Sequence, residues 1–406
     1  EYDKSFSGNS RVKNDKYYAV RWTAHDASND FLFYYQLNGA KGYDDYEAAL
    51  KYCATPGQNF VFASKTGDIA IWQQGLFPAK WPMQGDFVMP GIDSSYMWQA
   101  MIPQEENPHI RNPARGFVSS ANQIPVDSTY PYYIGGSYDL YRGYIINRYL
   151  KDMNSITPED MQRLQTDNYN VFAELARPVL LKNIDVSQLS ADEKKYLDIV
   201  QQWNLRNDPA EKGPAIFISW FDSLEVQVWN DELSKVSGVP DSPDEATLLE
   251  GLLRDSTFKF VDNINTPVVE TLQDLVTTAF KKAVPAFINA EKRASLSWAK
   301  HKNTSVRHLL RLTPLSRLHI DVGGGIHIIN ATKQFHGPSW RMIVHLTDET
   351  EAYGVFPGGQ SGNPGSKFYD NSIDTWARGK YNTLWFMKKE QAGDKRVISR
   401  MNFTKI

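Results

Sequence analysis

Cysteine is almost absent from the sequence. The single thiol, Cys53, excludes an internal disulfide and any zinc site built on cysteines. It lies in the helical-looking stretch YEAALKYC and reads as a small buried hydrophobe. No run of 18 apolar residues occurs, so nothing reads as a membrane-spanning helix. An excess of one charge is also missing. The 44 basic and 47 acidic residues leave a net charge of −3, with lysine and arginine scattered rather than striped, which argues against a nucleic-acid partner. The opening, EYDKSFSGNSRVKND, is polar and loop-like with neither a signal peptide nor a Met, so the chain reads as the interior of a longer gene product.

Self-contained catalytic signatures are missing too. GGQSGNPGS at 358–366 is glycine-rich but has no phosphate-loop lysine, and its spacing does not fit a dinucleotide fingerprint. No G-x-S-x-G elbow precedes a helix. His319 and His327, eight apart around a glycine-rich turn, are the one histidine pair to weigh as metal ligands, and the pattern does not favour it. His25, His301 and His308 read as surface or cap residues, and Asp44 and Asp45 as a helix start favoured by the macrodipole.

Aromatic residues are plentiful. The 21 tyrosines and 11 tryptophans fit either a large core or an apolar pocket. The length of 406 residues fits two domains or one large layered one. Residues 17–38 begin with strand-like alternation, and 43–53 carry helical spacing. QNFVFAS and DIAIWQQG, joined by KTG, read as a hairpin. Residues 76–113 are proline-rich and read as a long ordered loop, a kind of segment that is usually functional. A short strand over Gly116–Ser119 follows and runs into ANQIP.

From about 136 the pattern turns helical. Thr157 caps a helix with Pro158 at its first position, and Ser190 with Glu193 forms a capping box. Strands return in GGGIHIINA, SWRMIVHLT and EAYGVFPGG. The expected plan is α+β: a sheet-rich core over 1–135, a mostly helical block over 136–305, and C-terminal strands over 306–406 that complete the core.

ANQIP places a primary amide, Asn122, at a strand end before Pro125, where it serves either as a turn former or as a chemical group. A rigid side-chain amide can donate to a developing oxyanion, an effect worth about 3–4 kcal/mol. Its own carbonyl then needs an anchor, and a guanidinium has the geometry for one. Arg142, twenty residues on in the next helix, is either that anchor or an ordinary helix-surface cation; Arg148, six residues later, projects from another face.

PGQNFVFASKTGDIAIWQQGLFP, MPG, MWQAMIPQEENPHIRNPARGFVSSANQ, YRGYIINRYL, GPSWRMIVHL and VFPGGQSGNPGSKFYDNSIDTWARGKYNTLWF, in that order, resemble the penicillin acylase (penicillin amidase) family of N-terminal-nucleophile hydrolases. The resemblance is strongest over 56–150 and 337–386. It implies an αββα sandwich, here partial and with a large helical insertion, in which a precursor cuts itself into two chains. It further implies that a new N-terminal Ser attacks a linear amide with its own α-amino group as base. Asn122 falls on the family's oxyanion-hole asparagine and Arg142 on the arginine that orients the site. The chain starts Glu1-Tyr2, so the nucleophile is expected on a separate segment of the precursor, which would be a partner along with a small acyl-amide substrate.

Some members bind calcium, but no ligand set matches here, and no cofactor or metal residue is carried over. Bacterial members are commonly exported, which implies a periplasmic or secreted location. Trp81, Phe87 and Trp98 of the long loop are the expected wall of the acyl cleft. Two further readings remain open from the residues: a non-catalytic binding module, and a structural subunit of a degenerate homologue.

Overall fold

A computed structural model describes residues 19–405 except 137, 236–241, 256, 389–390 and 392. The polar opening segment and the first residues of the strand-like alternation lie outside this range. The alternation gives way to helix α1 (Asp30–Gly39), followed by α2 (Tyr43–Leu50). Cys53 lies just past α2, not within it, and is buried. The hairpin is β1 (Gln58–Ala63) against β2 (Ile69–Gln74), antiparallel from Gln58↔Gln74 to Ala63↔Ile69. Phe33, Tyr46, Leu50 and Trp72 pack with Cys53 beneath it.

The proline-rich loop is irregular for most of its length. It ends in a short strand absent from the sequence reading, β3 (His109–Arg111), which pairs with β2. The expected strand at Gly116–Ser119 does not form. Gly116 is left-handed (φ +76°), and the groups a ladder would use are taken by side chains instead. Arg115 Nε donates to the Phe117 carbonyl at 2.9 Å, and Gln123 Nε2 donates to the Ser119 carbonyl at 3.2 Å.

The helical block runs through α3 (Leu140–Asp152), α4 (Pro158–Gln165), α5 (Val171–Asn183), α6 (Ala191–Gln202), α7 (Gly213–Leu233), α8 (Glu245–Arg254), α9 (Leu272–Lys292) and α10 (Trp298–Lys302). The Thr157 cap with Pro158 and the Ser190 capping box form as expected, and Asp160 closes a box at Thr157 as well. α7 buries Phe217, Trp220, Phe221, Leu224 and Val228, spaced three and four apart, against α9, which buries Leu275, Val276, Phe280 and Phe287. Each such side chain removed from water contributes about 1.5–3 kcal/mol. Trp220 also donates its indole N–H to the Val276 carbonyl at 3.0 Å.

Strands return as β4 (Thr304–Val306) with β5 (Arg317–Ile320), and as β6 (Arg341–His345), β7 (Glu351–Val355) and β8 (Asn382–Thr383), with α11 (Ile373–Ala377) between the last two. GGGIHIINA is not a strand. It is a tight loop in which Gly324 and His327 are both left-handed. Trp298 Nε1 donates to the Gly324 carbonyl at 2.7 Å. The buried Lys302 donates to the carbonyls of Gly323 at 2.7 Å and Thr332 at 2.9 Å. Among the described residues no helix is long and apolar enough to cross a membrane.

Candidate active site

The ANQIP segment is shaped locally before anything else acts on it. Asn122 adopts φ +63°, a left-handed conformation that Asn tolerates better than most residues. Gln123 braces the turn: its Oε1 accepts from the Ala121 N–H at 2.6 Å while its Nε2 holds the Ser119 carbonyl. The segment lies on one face of α3, where Gly143 and Asn147 are one turn apart. Asn147 Oδ1 accepts from Arg115 at 2.9 Å and from the Ser119 hydroxyl at 3.1 Å.

Asp139 caps α3, accepting from the Tyr141 N–H at 3.0 Å. Its other oxygen accepts from Arg142 Nε at 2.8 Å. The same guanidinium reaches across with Nη2 to Asn122 Oδ1 at 2.7 Å. Arginine can only donate, so this contact assigns the amide: Oδ1 faces the guanidinium and Nδ2 points away. Among the described residues nothing is hydrogen-bonded to that Nδ2, and Asn122 is exposed. Arg142 is therefore the anchor and not a free surface cation. Arg148, on another face, pairs with Glu174 through two 2.9 Å bonds.

His327 stands behind this pair, 3.3 Å from Asp139 Oδ1 through Nδ1 and 2.8 Å from Glu245 Oε1 through Nε2. Burial alone would lower its pKa, but the hydrogen bonds and charges of the two carboxylates outweigh it and raise the value. Burial likewise works to raise Asp139, and the bonds from His327 and Arg142 win, holding its carboxyl far below the usual range. The His327 bond lowers Glu245. His327 is thus bridged by carboxylates. His319, its candidate metal partner, is bonded instead to Asn303 Oδ1 at 2.7 Å, and no metal-holding cluster exists among the described residues.

The structure therefore joins Asn122 and Arg142 and adds Asp139, Gln123, Glu245 and His327, none of which had been read as part of the site. An Asp three residues before an Arg at a helix start was a legible cap signal; nothing local marks His327 or Glu245.

The long loop is tied to the chain just after the site. Tyr133 donates to Asp86 at 2.6 Å, and Tyr132 donates to Glu106. Between them opens a cavity of about 180 Å³ walled by Phe77, Lys80, Ile102, Tyr130, Tyr133 and Tyr138 among others. The three expected cleft aromatics sit elsewhere along the loop. Trp81 packs edge-on to Tyr96 at 6.1 Å, Trp98 lies under the Arg21 guanidinium at 5.2 Å, and Phe87 is 70% exposed.

Comparison with known families places the chain. The family model described as penicillin amidase matches residues 6–393. The chain belongs to the penicillin amidase family. This penicillin amidase homologue is 24% identical over 379 residues to the acyl-homoserine lactone acylase QuiP of Pseudomonas syringae pv. tomato, which covers 80% of this chain and 44% of the relative. It is 23% identical over 418 residues to QuiP of Pseudomonas aeruginosa, covering 89% of this chain and 48% of the relative. The chain thus spans less than half the length of these curated relatives. Among solved structures, a thermostable penicillin G acylase from Alcaligenes faecalis shares its fold, with a TM-score of 0.60 and 15% identity over 93% of this chain and 72% of that one.

Proposed function

We propose that this chain forms part of an amidohydrolase and supplies its oxyanion donor, Asn122 Nδ2. One observation carries the reading: the 2.7 Å contact from Arg142 to Asn122 Oδ1, which leaves the amide N–H fixed and unspent. Such a donor needs no reorganisation as charge develops on a carbonyl oxygen. The family supplies the remaining chemistry. An N-terminal Ser on another segment of the precursor attacks the acyl carbon, and its α-amino group takes the hydroxyl proton. The tetrahedral oxyanion collapses to an ester as the amine leaves with that proton, and water then releases the acid.

The missing segment would complete an αββα sandwich with the strands described here. Outward-facing Met342 and Val344 of β6, 48% and 45% exposed, support a partner surface there. In this reading Trp81, Phe87 and Trp98, which do not line the cavity of about 180 Å³, wall the acyl side of a separate cleft completed by the other segment, and the mature protein is exported. The relatives are named for acyl-homoserine lactones and penicillin G, so both are apt probes. In the mature full-length protein, Asn122→Ala is expected to lower kcat by roughly 10²–10³-fold with KM little changed. Unchanged kcat would overturn the assignment. Trp98→Ala is expected to alter acyl preference between the two probes, and identical preference removes that residue from the cleft.

A further inference from the structure

His327 does not touch Asn122, yet one carboxylate links them. Asp139 binds His327 with Oδ1 and Arg142 Nε with Oδ2, and Arg142 Nη2 holds Asn122. The guanidinium is planar, so fixing Nε–H fixes the direction of Nη2. We propose that His327 is a positioning residue: by bridging Asp139 and Glu245 it holds Asp139 as a rigid acceptor for Arg142 and so sets the orientation of the Asn122 amide. This rests on the reading of Asn122 as oxyanion donor.

Two carboxylates need a donor on each side, and the imidazolium supplies one from each ring nitrogen. The ring is confined by Tyr141 at 4.6 Å and Phe172 at 5.3 Å and is 14% exposed. Ionisable groups face it from α3 and α8, while α5 presents Phe172. From α3 come Asp139, Tyr141 and Arg142, and from α8 come Glu245 and, nearby, Asp244 and Glu250. On α7, Asp222 and Glu225 are raised chiefly by burial and further by the charge of Glu245. The backbone makes the same point. His327 occupies φ +60°, where glycine carries no penalty, in a loop already rich in glycine. A side chain held there at a cost of roughly 1–2 kcal/mol is compensated by its contacts. The bridge also joins elements far apart in sequence, since His327 lies 188 residues from Asp139 and 82 from Glu245.

The test uses the mature full-length protein with His327→Gly, which suits the left-handed backbone, and His327→Gln as a second variant should the first not fold. N-decanoyl-homoserine lactone is the probe, and each variant is also crystallised. Expected are a kcat lower by about 10–100-fold with KM within about twofold, partial restoration of His327→Gly by added imidazole, and an Asn122 amide no longer on Arg142. Asn122 still bonded to Arg142 in the variants overturns the proposal. Where Asn122→Ala itself slows hydrolysis, a kcat within twofold of wild type overturns it too, whether or not thermal stability falls. The two readings separate cleanly. If Asn122→Ala leaves hydrolysis intact while the His327 variants release Asn122 from Arg142, the oxyanion reading falls and the positioning link stands.

Discussion

Gly143 on α3 is in contact with Gln123, the residue that braces the turn at Asn122. A Cβ added at Gly143 would lie 3.0 Å from Gln123 Oε1 and 3.1 Å from its Cβ. The close approach of segment to helix depends on that missing carbon, because the bonds of Gln123 to Ala121 and Ser119 leave it little room to retreat. A helix-interior glycine here leaves room for the bracing side chain of Gln123.

Gly143→Ala separates the two effects. Alanine favours the helix by up to about 1 kcal/mol, which offsets the crowding of Gln123. Stability measured by chemical denaturation is expected to stay within about 1 kcal/mol of wild type. The turn at Asn122 shifts, and kcat for acyl-amide hydrolysis falls by about tenfold or more. A substitution that lowers stability sharply and leaves kcat alone would contradict this.

The His327 bridge gives a pH dependence with a definite sign. The folded state raises the pKa of His327, so its contribution is complete below about pH 6.5 and is lost as pH rises through the raised value. Asp139 and Glu245 are lowered, so their contributions are complete above about pH 4–4.5 and are lost as pH falls through the lowered values. The difference in denaturation midpoint between wild type and His327→Gly is therefore expected to be greatest near about pH 5–6 and to shrink as pH rises through the raised value. A difference that grows steadily with pH would be the wrong sign.

Gly324 is the stricter glycine. It has φ +82°, and a Cβ there would fall 2.0 Å from the Asn330 carbonyl oxygen, which is backbone and cannot swing aside. Gly324→Ala is expected to destabilise the protein by on the order of 3 kcal/mol, from strain and the displaced loop together. The loop also carries His327, so kcat should fall in the folded fraction. Equilibrium denaturation paired with steady-state kinetics checks both, and a loss under about 1 kcal/mol would show that the loop adapts.

Local structure was the most legible part of the chain. The capping boxes at Thr157 and Ser190, the Gln58–Gln74 hairpin and the α2 helix follow from residue types within a few positions of one another. The motifs carrying the family resemblance were equally visible, and with them Asn122 and Arg142. The failures share a cause. GFVS and GGGIHIINA have strand-like composition, yet side chains take their backbone groups: the flanking Arg115 and Gln123 in the first, the more distant Trp298 and Lys302 in the second. Burial of Lys302 there lowers its pKa to about 7, and the neutral amine still has two N–H groups for its two carbonyls. β3 was hidden because three residues owe their strand to an already formed β2.

The sequence by itself determined most of the helical block, the hairpin and the family, and singled out Asn122 and Arg142, because caps, periodicity and ordered motifs act over short spans of chain. Tertiary structure alone decided that Asp139, already beside Arg142 on the same helix start, would also grip His327, and that Glu245 would close the bridge. Those contacts join α3, α8 and a loop near residue 327, and no local pattern encodes a meeting of side chains that only the packed helices bring together.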